Sequence, residues 1–205
     1  MHVDLVLVLA LDVSDSVNSH EFELQRMGLA NAFRHPDLIN AIRACPTGRI
    51  AVTAIQWSGY RDQVVSVPWR VVSDKASANV FANRISNMLR RYPNGYTHIS
   101  GAIEYATKLV LAAPFMAPRL VVDISGDGEN NVNTPPQAAR DAAVRAGITV
   151  NGLAIVNEAA GLVTYYEQNV IGGPGAFVVK ANDYEAYVEA ILLKLLREIN
   201  CKYLS

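Results

Sequence analysis

The chain alternates apolar runs with polar loops, and the sharpest contrast lies near its start. Leu5 to Leu11 is an unbroken aliphatic run that stops at Asp12-Val13-Ser14-Asp15-Ser16. A short run with no polar face predicts a strand buried on both sides of a mostly parallel sheet. Downstream, Asn18 or Ser19 is a helix N-cap, with Glu21 and Glu23 in the first turn and Phe22, Leu29, Ala30 and Phe33 on one stripe. Pro36 interrupts, and Asp37 to Ala44 reads as a short second helix. Arg49 to Trp57 and Gln63 to Val67 read as a hairpin around Ser58-Gly59-Tyr60-Arg61, which makes the third strand antiparallel. Pro68 at its end suits an edge strand.

Helical spacing continues from Asp74 to Arg91, with Val80, Ile85, Met88 and Leu89 as apolar positions, and from His98 to Ala113. Tyr92-Pro93-Asn94-Gly95-Tyr96 marks a turn between them. Leu120 to Ile124 is a buried strand ending in Ser125-Gly126-Asp127-Gly128. Pro135 to Gly147 is a helix, Ile148 to Val156 a strand, Leu162 to Val170 a weaker helix and Ala176 to Lys180 a strand. The last helix, capped by Asn182 or Asp183, carries the stripe Val188, Ile191, Leu192, Leu195, Leu196 and Ile199. This alternation predicts one α/β domain over residues 1–205: a doubly wound, mostly parallel six-stranded sheet with one antiparallel edge strand and helices on both faces.

Counting direction reversals through that topology brings three separate segments to one end of the sheet. Asp12, Ser14 and Ser16 leave the first strand there, Thr97 lies at the start of a helix, and Asp127 follows the Leu120 strand. Open α/β sheets bind ligands at this end. Alternate residues of an extended chain share a face, so Asp-x-Ser-x-Ser aims three oxygens at one point. Two carboxylates and three hydroxyls suit a hard divalent cation such as Mg²⁺, with Mn²⁺ or Ca²⁺ as alternatives. Taken singly, each residue has a plainer reading: Asp12 and Thr97 as helix caps, Ser14, Ser16 and Asp127 as turn residues. Trp57, Tyr60, Arg61 and Tyr96 are placed around the same end, while Asp15 and Glu129 are placed facing solvent. His98 stands beside Thr97 and reads as a surface or structural residue.

Composition narrows the function classes. Of 205 residues, 51% are hydrophobic and 18% charged, and the net charge is -1. A basic nucleic-acid or polyanion-binding surface is therefore not indicated. No apolar stretch reaches membrane-spanning length, and Val3 to Leu11 lacks the flanks of an export signal. The chain has no Gly-x-Ser-x-Gly elbow, phosphate loop or dinucleotide fingerprint. An aspartyl-phosphatase pattern would need an Asp where Ser14 stands.

The set Asp12-x-Ser14-x-Ser16, Thr97 and Asp127-Gly128 resembles the von Willebrand factor A-type domain with its metal-ion-dependent adhesion site. The resemblance covers nearly the whole chain and is nearest to a bacterial group of such domains of unknown function. It implies Ser14 and Ser16 as direct hydroxyl ligands, Thr97 as a direct or water-mediated ligand, and Asp12 and Asp127 as carboxylates acting through water. The sequence departs from that pattern at Gly126, where Ser or Thr is usual before the last Asp. What the resemblance implies is a module that binds an Asp or Glu of a protein partner through the metal, not a nucleic acid. A metal-dependent hydrolase or a scaffold with an unused site are the alternatives. Exported members are usual, so a periplasmic or secreted location is expected, the cytoplasm being the alternative. In such domains metal coordination is coupled to sliding of the last helix, and that helix is a neighbour of the segment ending at Cys45. Cys45 and Cys201 are thus either a disulfide or two unrelated thiols.

Overall fold

The computed structural model describes residues 1–157 and 159–201. β1 (Leu5–Asp12) is the axis of the molecule, and all eight of its residues are buried. It pairs in parallel with β2 (Ile50–Trp57) on one side and β4 (Leu120–Gly126) on the other. β3 (Gln63–Val72) adds antiparallel to β2, while β5 (Ile148–Ile155) and β6 (Val178–Ala181) extend the sheet in parallel beyond β4. The order is β3-β2-β1-β4-β5-β6. This is the doubly wound α/β arrangement, with its switch of winding direction between β1 and β4.

The pleat divides the core in two. Leu5, Leu7, Leu9 and Leu11 face α1 (Ser19–Arg34), α2 (Pro36–Arg43), α3 (Lys75–Ser86) and α7 (Tyr184–Ile199). Val6, Val8 and Ala10 face α4 (Ile99–Leu111), α5 (Pro136–Arg145) and α6 (Leu162–Asn169). Both cores are continuous across the sheet, so the carboxyl ends of β1 and β4 are held from both sides.

Several expected boundaries move, each for a physical reason. β3 runs through Pro68 to Val72, which an edge strand tolerates because a missing N–H on its open side breaks no ladder bond. The helix expected over Asp74 to Arg91 is only α3; Asp74 is its N-cap, in a capping box with Ser77. Beyond Ser86 the chain leaves the helix because buried Gln56 binds it: Gln56 Nε2 donates to the Leu89 carbonyl at 3.0 Å, and the Arg91 amide donates to Gln56 Oε1 at 2.7 Å. Val80 and Leu89, expected in the core, are exposed. Asn18 caps α1 in a reciprocal capping box with Glu21.

The inner face of α7 also differs from its apolar reading. Lys194 and Glu198 are fully buried on it. The Lys194 ammonium lies 2.6 Å from Asp123 of β4 and 2.6 Å from Glu198. Asn151 Nδ2 donates to Glu198 Oε1 at 3.0 Å, and Asn151 Oδ1 accepts from the Phe177 amide at 3.1 Å. Cys45 and Cys201 form a disulfide, which ties the end of α2 to the end of α7. Of the two readings of the cysteines, the unrelated thiols are set aside.

Candidate metal centre

The turn after β1 is fixed before any ligand enters. Asp12 Oδ1 accepts the Ser14 amide at 2.8 Å, an Asx turn that throws Ser14 and Ser16 to one side. The Asp12 carbonyl accepts from Gln25 Nε2 at 3.1 Å, and the Val13 amide donates to the Trp57 carbonyl at 2.9 Å. Arg90 Nη2 donates to the carbonyls of Ser14 at 3.0 Å and Val13 at 3.3 Å. The Asp15 amide donates to the Gly95 carbonyl at 3.0 Å. The backbone of Asp12 to Asp15 is thus pinned by the side chains of Gln25 and Arg90 and by the carbonyls of Trp57 and Gly95.

The second segment is pinned by the loop after β4. The Thr97 amide donates to Asn131 Oδ1 at 2.8 Å, the Ile99 amide to Asn130 Oδ1 at 2.9 Å, and the Asn131 amide returns to the Thr97 carbonyl at 3.0 Å. These two asparagines satisfy amides at the start of α4 that a helix leaves unpaired. They also fix Thr97 relative to Asp127. The sequence reading missed them, although two adjacent amide side chains just past Asp127 were the signal.

The side chains meet in one network. Ser16 Oγ donates to Asp127 Oδ1 at 2.7 Å, Ser14 and Ser16 hydroxyls lie 3.2 Å apart, and Thr97 Oγ1 donates to Ser14 Oγ at 3.3 Å. Four of the five residues singled out in the sequence are linked directly. The fifth, Asp12, adjoins them through the Ser14 amide. Asp12, Ser14, Thr97 and Asp127 are buried, while Ser16 is exposed and opens the cluster to solvent. Asp15 and Glu129 are exposed, as expected.

One oxygen in the cluster lacks a partner. Asp12 Oδ2 is buried and makes no hydrogen bond. Burial, with Asp127 as a negative neighbour, pushes the Asp12 carboxyl up to about 8. Burial likewise raises Asp127, against the Ser16 hydrogen bond. The Tyr184 and Tyr166 phenols are held protonated by burial and by these carboxylates. Two buried acids, one with an unpartnered oxygen, and three neutral hydroxyls fit a hard cation, which would supply the missing positive charge. Among the described residues no three His, Cys, Asp or Glu side chains form a metal-binding group, so the hydroxyls are essential to any such site.

Gly126 accounts for the departure from the usual pattern. A Cβ there would lie 2.8 Å from Asp12 Oδ2 and 2.7 Å from the Tyr166 hydroxyl. With Tyr166 filling that space, a Ser or Thr at 126 has no room. The surrounding residues divide. Tyr60 and Tyr96 are exposed, at 68% and 69%, beside exposed Arg61, whereas Trp57 is wholly buried and belongs to the core. His98 is also buried, stacked 5.4 Å from the Tyr60 ring, and burial lowers its pKa.

This fold is that of von Willebrand factor type A domains. Proximal thread matrix protein 1 of the mussel byssus superposes with a TM-score of 0.70 at 18% identity, over 97% of this chain and 48% of its own. A further structure of that protein has a zinc-occupied MIDAS motif. The von Willebrand factor type A protein of Catenulispora acidiphila matches with a TM-score of 0.64 and 16% identity over 96% of this chain and 43% of its own. The vWF domain of the type V pili tip protein Mfa5 of Porphyromonas gingivalis matches with a TM-score of 0.60 and 11% identity over 96% of both chains. The chain thus spans about half the length of the mussel protein. No curated protein sequence matches it. The chain belongs to the family described as protein of unknown function DUF1194, which matches residues 2–203.

Proposed function

We propose that this chain is a divalent-cation-dependent protein-binding module. Ser14, Ser16, Thr97, Asp12 and Asp127 hold the ion, Mg²⁺ in the first instance with Mn²⁺ or Ca²⁺ as substitutes. The bound ion supplies an electrophilic position for an Asp or Glu carboxylate of a protein partner. The chain's own residues do the rest. The Asx turn at Asp12 aims the two serines, Asn130 and Asn131 hold Thr97 in place, and Ser16 keeps the cluster open. Few carboxylates and many hydroxyls leave the ion incompletely neutralised, which favours an acidic group from outside.

The observation that carries the reading is the continuous Asp127–Ser16–Ser14–Thr97 network around an unpartnered, buried Asp12 oxygen. Support by likeness comes from the matrix and pilus proteins that share the fold, one with a zinc-occupied MIDAS motif. Pilus and matrix neighbours also favour a location outside the cytoplasm; among the described residues no helix is long and apolar enough to cross a membrane. The test is affinity capture on the immobilised chain, with Mg²⁺ or with EDTA. Partner recovery is expected only with the cation and only from the chain with Asp12 intact. Equal recovery in EDTA defeats the adhesion reading.

A further inference from the structure

A second surface lies along the margin of the sheet, apart from the cation cluster. β3 is an edge strand, so one side of its backbone has no pairing strand. Every residue of β1 and β2 is buried, yet Gln63, Val64, Val65 and Ser66 are each part-exposed whichever face they point to. Proteins usually guard such an edge with charge, proline or irregularity. Here most of those devices sit in the other half of the strand. Pro68 and Arg70 lie there, one register shift falls between Val67 and Arg70, a second falls between Val65 and Val67 where the open stretch ends, and Trp69 is covered by Phe115 at 5.9 Å. Gln63-Val64-Val65-Ser66 has neither charge nor proline.

A cleft of about 570 Å³ opens between this unguarded stretch and the segment leaving α3. Leu89, 72% exposed, and the exposed Arg84 and Arg91 form its far wall. Among the described residues neither arginine is in an ion pair. The walls are held apart by one buried side chain. Gln56 Nε2 donates to Ser66 Oγ at 2.9 Å on the strand and to the Leu89 carbonyl at 3.0 Å opposite. The cleft is therefore formed before anything enters it.

We propose that the Gln63–Ser66 edge receives an extended segment of a protein partner, which adds as a seventh strand with apolar side chains against Val64 and Leu89 and acidic ones toward Arg84 and Arg91. Main-chain bonds to the edge give affinity, and alternate side chains give selectivity. Charge complementarity favours an acidic partner over a second copy of this chain: a second copy brings the same two arginines to the margin and no acid within Gln63–Ser66 to meet them. Gln63 pairs with Trp57, and Trp57 with Asp12, so the open edge starts two strand spacings, about 10 Å, from the candidate cation cluster.

The inference is independent of cation binding, so its test is run in EDTA. The probe is an end-blocked nonapeptide alternating Val or Thr with Glu, titrated into the full chain and followed by backbone NMR and amide exchange. Saturable shifts and slowed exchange are expected at Gln63–Val67, with shifts along Arg84–Tyr92. Replacing Glu by Lys in the peptide, or introducing Arg84→Glu with Arg91→Glu, weakens binding by about tenfold or more at unchanged Tm. Methylating alternate peptide amides abolishes it. Failure to bind at millimolar peptide overturns the inference, as does equal binding of the methylated peptide or indifference to the charge reversal. Concentration-dependent dimers that protect the same amides make a second copy the occupant and overturn the acidic partner.

Discussion

Gly126 and Asp12 meet closely at the candidate site. With Asp12 Oδ2 and the Tyr166 hydroxyl both within 2.8 Å of where a Cβ would stand, Gly126→Ala forces two buried polar groups apart. Such overpacking costs about 1–3 kcal/mol; chemical denaturation should read that loss, and cation affinity should fall with it. The raised Asp12 carboxyl gives a pH signature. Folding lifts it from 3.8 to about 8, so between those values the native cation-free chain holds a proton that the unfolded chain has lost. Its stabilising share is complete below about pH 4 and drains away as pH rises toward 8. Melting of the cation-free protein should therefore fall from pH 5 to pH 8, with a shallower slope in Asp12→Asn. Cation binding displaces that proton, so Mg²⁺ affinity should drop about tenfold per unit as pH is lowered below 8. The convergence of the five candidate residues was legible because hydroxyl and carboxylate spacing is chemistry that sequence displays. Gly126 and the Asn130–Asn131 clamp were not, since their roles depend on which atoms lie across a gap.

α7 shows where periodicity runs out. Its spacing gives a helix, but Lys194 and Glu198 look solvent-facing until the other side is known: Asp123, on the same face of β4, is what draws them in. Burial pushes the Asp123 carboxyl up and the ammonium beside it pulls the other way; for Lys194, burial lowers it but the two carboxylates together outweigh that and raise it. Removing the ammonium by Lys194→Met leaves two buried acids, and a loss of about 3–5 kcal/mol is expected on denaturation. The disulfide closes a 156-residue separation, worth about 5 kcal/mol on the chain-entropy scale. Together these contacts oppose the sliding of the last helix that the family resemblance suggests. Hydrogen exchange across residues 184–199 should be unchanged by Mg²⁺ in the oxidised protein; deprotection of the helix on adding Mg²⁺ would show that it moves after all. The α3 boundary failed for a related reason. Residues 87–91 have helical composition, but Gln56 offers their backbone better-placed partners.

For the whole molecule, the sheet order could be read because alternating elements and right-handed crossovers leave few topologies. Counting chain reversals was enough to bring Asp12, Thr97 and Asp127 to one end, where the winding switches between β1 and β4, the place at which open α/β sheets bind ligands. What surrounds that end was less legible: Trp57 belongs to the core, and the open β3 margin emerges only once the strand is seen to continue past Pro68. The central claim is that these five side chains hold one divalent cation. Calorimetric titration of Mg²⁺ into the chain, beside Asp12→Asn and the double variant Ser14→Ala with Ser16→Ala, tests it most directly. The account predicts one site per chain in the parent protein and none in either variant, with all three folded; equal Mg²⁺ binding in the variants would contradict it.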